Sequence, residues 1–184
     1  MTRYRFDPAL SRVWIEARST LHPIRAQTAG VEGWFDAKCL ADGRVDPAVA
    51  PRAQLSLPVD LLSSGNPFYD REMRRRVESR RFPVITGDLT SIETGDGPDR
   101  YLVRGDLTFR GITRSYSDEM TLSSPDGRTL LMIGNRTFDI RDFGLETPRI
   151  LGLRVHPEVA VKILVVAEST SAQTVPTAGS VDPS

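Results

Sequence analysis

The segment YLVRGDLTFRG, residues 101–111, constrains the fold more than any other part of the chain. Tyr101, Val103, Gly105, Leu107 and Phe109 alternate with Leu102, Arg104, Asp106, Thr108 and Arg110. Successive strand side chains point to opposite sheet faces, so strict period-two alternation predicts a half-buried strand. Gly111 interrupts the run and a second alternation follows from Ile112 to Leu122. There Asp118 shares its parity with Tyr116, Met120 and Leu122, which aims a carboxylate at the buried side, where it needs a partner or water.

The same pattern fills most of the chain. Val13, Ile15 and Ala17 mark one strand, Val31, Gly33 and Phe35 a second, and Leu55, Leu57 and Val59 a third, in which Pro58 predicts an edge or bulge. Residues 85–90, 116–122 and 130–140 continue the series, and Val159, Val161, Ile163, Val165 and Ala167 form one face of the last strand. One helix breaks the pattern over residues 70–80, with Asp70 as N-cap, prolines 67 and 83 as brackets, and Tyr69, Met73 and Val77 as a narrow apolar stripe. About eight strands with closely spaced turn signals predict an all-β chain, either a closed antiparallel barrel or a sandwich.

The 184 residues suffice for one domain with a substantial core. Equal numbers of basic and acidic residues, 24 each, remove the broad attraction to nucleic acid that a basic domain has. Cys39 is the only cysteine, which excludes an intrachain disulfide and a thiolate metal cluster. His22 and His156 each precede a proline with no carboxylate at ligand spacing, so no metal or cofactor site is expected. No nucleophile elbow or phosphate loop is legible. The N-terminus carries no apolar run of signal-peptide length and no segment is long and apolar enough for a membrane span, so a cytoplasmic location is expected. Residues 169–184 are small and polar with two prolines, and are expected to be a disordered tail following a domain over residues 1–168.

Six segments taken in order resemble the YceI-like family of polyisoprenoid-binding proteins. They are YRFDPALSRVWIEAR with Asp7 and Ser11, GVEGWF, LPVDLLSSGNPFYD with its helix and RFPVITGDL, YLVRGDLTFRGITRSY, RDFGLETP, and the closing VAVKILVVA. The resemblance implies an eight-stranded antiparallel lipocalin-like barrel around an apolar tunnel that holds an isoprenoid, an isoprenoid quinone or a similar amphiphilic lipid. Parity then nominates Ile15, Phe35, Leu57, Ile85, Val103, Leu107, Phe109, Met132, Phe138 and Val161 as tunnel lining, with Val13, Val31, Leu55 and Ile163 on the same face and Met73 and Val77 closing the mouth from the helix. Two departures stand out. Gly87 replaces the family's Phe and would widen the tunnel, and residues 141–144 shorten the family's Arg-x-Asp-Phe-Gly by one, which puts Ile140 at the Arg position.

Three further expectations concern polar and aromatic groups. Arg71, Arg74 and Arg75 on the helix are candidates for an anionic head group, since guanidinium groups bind phosphate in bidentate fashion; the alternative is a solvated face paired with local acids. Trp14 and Trp34 lie at outward parity on consecutive predicted strands and would make an aromatic dimer patch if those strands pair. Asp118 supplies an alternative to simple binding, as the acid or base of an enzyme acting on a lipid or quinone head group. A filled barrel serving as a stress-response interaction module is the third reading.

Overall fold

A computed structural model describes residues 1–147, 149–150 and 152–170. Residues 171–184 of the expected tail lie outside the described residues, while the last strand continues one residue past the expected boundary to Ser169. The strands are β1 (Thr2–Phe6), β2 (Arg12–Ser19), β3 (Ile24–Thr28), β4 (Glu32–Ala37), β5 (Arg52–Pro58), β6 (Val84–Thr94), β7 (Arg100–Phe109), β8 (Ile112–Ser123), β9 (Thr129–Asp139), β10 (Arg149–Ile150) and β11 (Leu153–Ser169). The helix α1 (Pro67–Arg76) lies between β5 and β6.

These strands build an eight-stave antiparallel barrel. The order β1–β4–β5–β6–β7–β8–β9–β11 closes where β1 pairs with the end of β11, Tyr4 opposite Ser169. Two staves are broken. β1 and β2 lie end to end along β11, and β4 and β3 follow them one strand further out. The break comes at the sequence DPAL, where the Asp7 carboxylate accepts the backbone N–H groups of Ala9 and Leu10 and turns the chain.

Register fixes which side chains face inward, and it agrees with the alternation of the sequence. Tyr101 pairs with Met120, Val103 with Asp118 and Gly105 with Tyr116, so all six share the interior face. Leu130, Met132, Gly134, Arg136 and Phe138 of β9 meet Ala167, Val165, Ile163, Val161 and Val159 of β11 on that same face.

Three local readings need correction. Pro58 ends β5 instead of making an edge or bulge, because β5 is paired on both sides and Pro58 sits opposite Val84, just before a one-turn helix at Val59–Leu61. The helix begins at Pro67 with Asn66 as its cap; the Asn66 side chain accepts the N–H groups of Phe68 and Tyr69, and proline at the first helical position has no N–H to lose. Asp70 is therefore inside the first turn, buried and turned back on the preceding loop. The helix stops at Arg76, and Glu78 adopts φ 54° beyond it.

Candidate functional site

The two ends of the barrel are packed differently. At one end Tyr4, Ala37, Val45, Tyr101, Leu122, Leu130 and Ala167 are each no more than 1% exposed, and a solid core occupies the interior. Tyr101 donates its hydroxyl to the Val45 carbonyl at 2.9 Å, and the Tyr4 hydroxyl stands 3.2 Å from Cys39 Sγ. Towards the other end the inward side chains Ile15, Ile85, Val103, Leu107, Phe109, Tyr116, Phe138 and Val161 stay partly exposed. The inward side chains are thus tightly packed at one end and partly accessible at the other.

The helix lies at the second, partly accessible end. Val77 is buried with Val59 and Leu62, and Met73, Ile15, Ile85, Phe109 and Leu145 pack against them. Asp70 fastens the front of the helix. It accepts hydrogen bonds from Ser63 Oγ at 2.8 Å, Ser64 N at 2.7 Å and Ser64 Oγ at 2.6 Å. Burial pushes the Asp70 carboxyl up, but the Ser64 and Ser63 hydrogen bonds and the Arg74 charge outweigh it and hold the group below its ordinary value. Ser63 in turn exchanges two backbone hydrogen bonds with Gln27 of β3, so the lid is tied to the rim of the barrel.

The nominated lining divides between the two regions. Phe35 and Met132 belong to the solid core, at 2% and 5% exposure, whereas Leu57, directly opposite Ile85 at the helix end, is also buried, at 6%. Ile15, Ile85, Val103, Leu107, Phe109, Phe138 and Val161 are half-buried, and Met73 and Val77 pack beside Ile15, Ile85 and Phe109. Gly87 does not widen the space as expected. A Cβ there would lie 3.0 Å from Leu55 Cγ, because the Leu55 side chain leans into the room that glycine leaves.

The helix arginines are mostly engaged with acids. Arg75 and Arg76 both bind Glu72, at 2.8 Å each, and Arg74 reaches Asp60 Oδ1 at 3.6 Å and donates to its carbonyl at 3.1 Å. Arg71 remains exposed in an outer trough of about 1020 Å³ shared with Arg80 and Arg81. The tryptophan patch lacks its premise, since β2 and β4 do not pair. Trp14 sits in an outer groove of about 990 Å³ with Lys162 Nζ 5.7 Å above its ring, while Trp34 stacks under Arg3 at 4.3 Å.

A polar group on the inward face of β8 and β9 was only half visible in the sequence. The β8–β9 ladder covers Met120–Ser123 against Leu131–Gly134 and stops there. Beyond it Arg136 bridges the two strands, donating from Nη1 to Asp118 Oδ1 at 2.5 Å and to the Ser117 carbonyl at 3.4 Å. Its guanidinium lies 4.3 Å over the Tyr116 ring. Tyr116 also meets Phe138 edge-on at 5.1 Å, and Phe143, buried in the one-turn helix Ile140–Phe143, stands 6.5 Å away and 5.7 Å from Phe109. Asp118 therefore has the partner that its inward parity required. Arg136 itself was not nominated, although it shares parity with Met132 and Phe138.

A closed antiparallel barrel with partly accessible inward apolar side chains and a helix packed over that end defines a lidded β-barrel. More narrowly, residues 4–167 match the YceI-like domain, and the chain belongs to that family. Among solved structures it is similar to BcnA of Burkholderia cenocepacia, at 22% identity and TM-score 0.72 over 88% of this chain and 98% of that one. It is also similar to a polyisoprenoid binding domain from Saccharophagus degradans implicated in plant cell wall breakdown, at 16% identity and TM-score 0.74 over 92% and 99%. A Campylobacter jejuni YceI protein follows at 13% identity and TM-score 0.62 over 79% and 84%. At these identities the likeness shows the fold. No curated protein matches the chain. Among the described residues, no helix is long and apolar enough to cross a membrane.

Proposed function

We propose that the barrel binds the tail of an isoprenoid, or of a similar amphiphilic lipid, in its partly accessible end and so shields it from water. The observation that carries this reading is the partial exposure of Val103, Leu107, Phe109 and Val161, which all face inward. The polyisoprenoid binding domain of like fold and the family membership support it.

The affinity comes from removing apolar surface from water, at about 25 cal/mol per Å² buried, less the entropy of straightening the tail. The solid core limits the length. From Val103 to Phe109 the strand offers about 20 Å, or about 15 Å along the barrel axis once the strands tilt. That suits a tail of farnesyl size better than a long polyprenol, unless the chain folds back or leaves through the mouth.

Isothermal titration with a saturated C15 isoprenoid hydrocarbon and with farnesol tests the proposal. Stoichiometric binding of both, weakened when Leu107→Trp fills the cavity, is the expected result. No binding of either to folded protein would mean that the interior does not serve a lipid.

A further inference from the structure

An α-helix brings residues three, four and seven apart onto one face. In α1 and its cap this rule turns Asp70, Met73 and Val77 towards the barrel, where Asp70 and Val77 are buried and Met73 packs beside Val77. It turns Phe68, Arg71 and Arg75 the opposite way. All three are exposed, the Phe68 side to 49%. An aromatic ring thus stands in water in line with two arginines.

Six arginines and two glutamates lie between residues 71 and 81, in a chain whose basic and acidic residues are equal in number. Asp60 and Asp70 nearby reduce that excess without cancelling it. Glu72 holds Arg75 and Arg76, Asp60 holds Arg74, and cations at a helix C-terminus also offset its dipole. Those roles do not extend to the others. Among the described residues Arg71 and Arg80 have no acid partner, and Arg81 reaches Glu78 only at 3.8 Å while 76% exposed. Arg71 lies too far forward to serve the helix C-terminus, and Arg80 and Arg81 lie beyond it. All three open on one outer trough.

We propose that this outer face of the lid is a docking surface for an anionic lipid bilayer. Phe68 enters the boundary between head groups and acyl chains, and the arginines lie among the phosphates. The unpaired arginines select an anionic partner, and guanidinium groups suit phosphate. Phe68 selects a bilayer over a soluble anion, because a ring beside cations gains most where an apolar layer lies directly behind an anionic one. Leu61 follows Asp60, which Arg74 grips, and is itself 51% exposed, adding a second apolar side chain next to the trough. The contact is peripheral and asks nothing of the barrel interior. For a barrel that holds a lipid tail, it brings the lid against the source of that tail.

The test is co-sedimentation of the full chain with vesicles of phosphatidylcholine alone and of an equal mixture with phosphatidylglycerol. Wild type is expected to bind the mixture, not phosphatidylcholine alone, and to be released by high salt. Arg71→Ala and Arg80→Ala remove cations that hold no acid, and each should weaken binding about fivefold, with folding checked by circular dichroism. Arg128→Ala, in the exposed β8–β9 turn at the tightly packed end, should bind as wild type does. In Phe68→Trp, brominated phosphatidylcholine in the mixture should quench emission beyond the quenching of Trp14 and Trp34 in wild type.

Equal binding to both kinds of vesicle, or binding to neither, overturns the proposal. So does a loss in Arg128→Ala as large as in Arg71→Ala, since the attraction would then belong to no particular face. Bound Phe68→Trp with no added quenching would put another surface on the bilayer. Binding of polyglutamate, lost in Arg71→Ala, with none to vesicles would assign the face to an acidic protein instead. Farnesol binding is titrated without vesicles, so its failure is read separately and leaves these outcomes unchanged.

Discussion

Ser11 and Val166 exchange two hydrogen bonds across the barrel wall: Ser11 Oγ donates to the Val166 carbonyl at 3.3 Å, and the Val166 N–H donates back to Oγ at 3.1 Å. They lie where the stave of β1 and β2 is broken, so a hydroxyl does there what a backbone neighbour does elsewhere in the ladder. Ser11 is fully buried. Ser11→Ala leaves the Val166 N–H unsatisfied and is expected to cost about 1–3 kcal/mol of stability. Urea denaturation measures it, and a loss well under 0.5 kcal/mol would show that the seam does not depend on this pair.

The two ends of the barrel should answer differently to substitution. Leu122→Ala, in the solid core, is expected to cost about 2–5 kcal/mol while leaving tail binding in the surviving folded protein intact. Leu107→Trp adds volume to the proposed cavity and should weaken binding with little effect on stability. Paired thermal melts and titrations check both. A severe loss of stability in Leu107→Trp would mean that no space exists there.

Gly33 is a backbone requirement. Its φ is +146°, and a Cβ would lie 2.1 Å from the Gln54 carbonyl oxygen and 2.9 Å from the Phe6 ring. Gly33→Ala should destabilise by at least about 3 kcal/mol, because neither the backbone oxygen nor the buried ring can retreat. Gly65→Ala is the control. Its φ of +76° is left-handed but nothing lies within 4 Å, so only about 1–2 kcal/mol is expected.

The lid latch should be acid-sensitive. The Asp70 carboxyl is held below its ordinary value in the folded protein, so the unfolded chain protonates first as pH falls. The stability that Asp70 confers is then complete above the ordinary carboxylate range, and it drains away as pH drops through that range to the folded value. Hydrogen exchange of the α1 amides should accelerate below about pH 4 in wild type. In Asp70→Asn it should be fast at neutral pH and lose most of its pH dependence beyond the intrinsic chemistry.

At alkaline pH the solid core makes the opposite case. Burial, and then the neighbouring Cys39, push the Tyr4 hydroxyl up to about 12. Its raised value means that stability is intact below about pH 10, where the unfolded tyrosine ionises, and is lost as pH rises from there towards 12. Phenolate absorbance during an alkaline titration should show at least one tyrosine ionising only on unfolding. Reversible titration of every tyrosine near pH 10 in folded protein would contradict this.

The alternation of residues 101–109 and 112–122 carried enough information to aim every side chain of β7 and β8 correctly, Asp118 included, because strand geometry is local and its period is two. The six family-like segments carried the barrel and its helix. Parity along one strand cannot say how deep a side chain lies, so Phe35 and Met132 were grouped with Leu107 and Val161, although only the latter pair remain partly accessible. Nor can it say which strands meet. Trp14 and Trp34 lie on strands consecutive in the reading but separated in the sheet, because β1 is an additional strand and both staves are broken.

The sequence by itself therefore determined the all-β fold, the inward face of each strand, and the resemblance that names the family, all of which depend on neighbours a few residues apart. The tertiary structure decided where the interior is tightly packed, that Leu55 fills the space beside Gly87, and that Arg136 crosses from β9 to Asp118 and Tyr116 on β8. Those facts turn on closure, ladder length and packing between residues 18 to 32 positions apart or more, distances that alternation along a single strand does not encode.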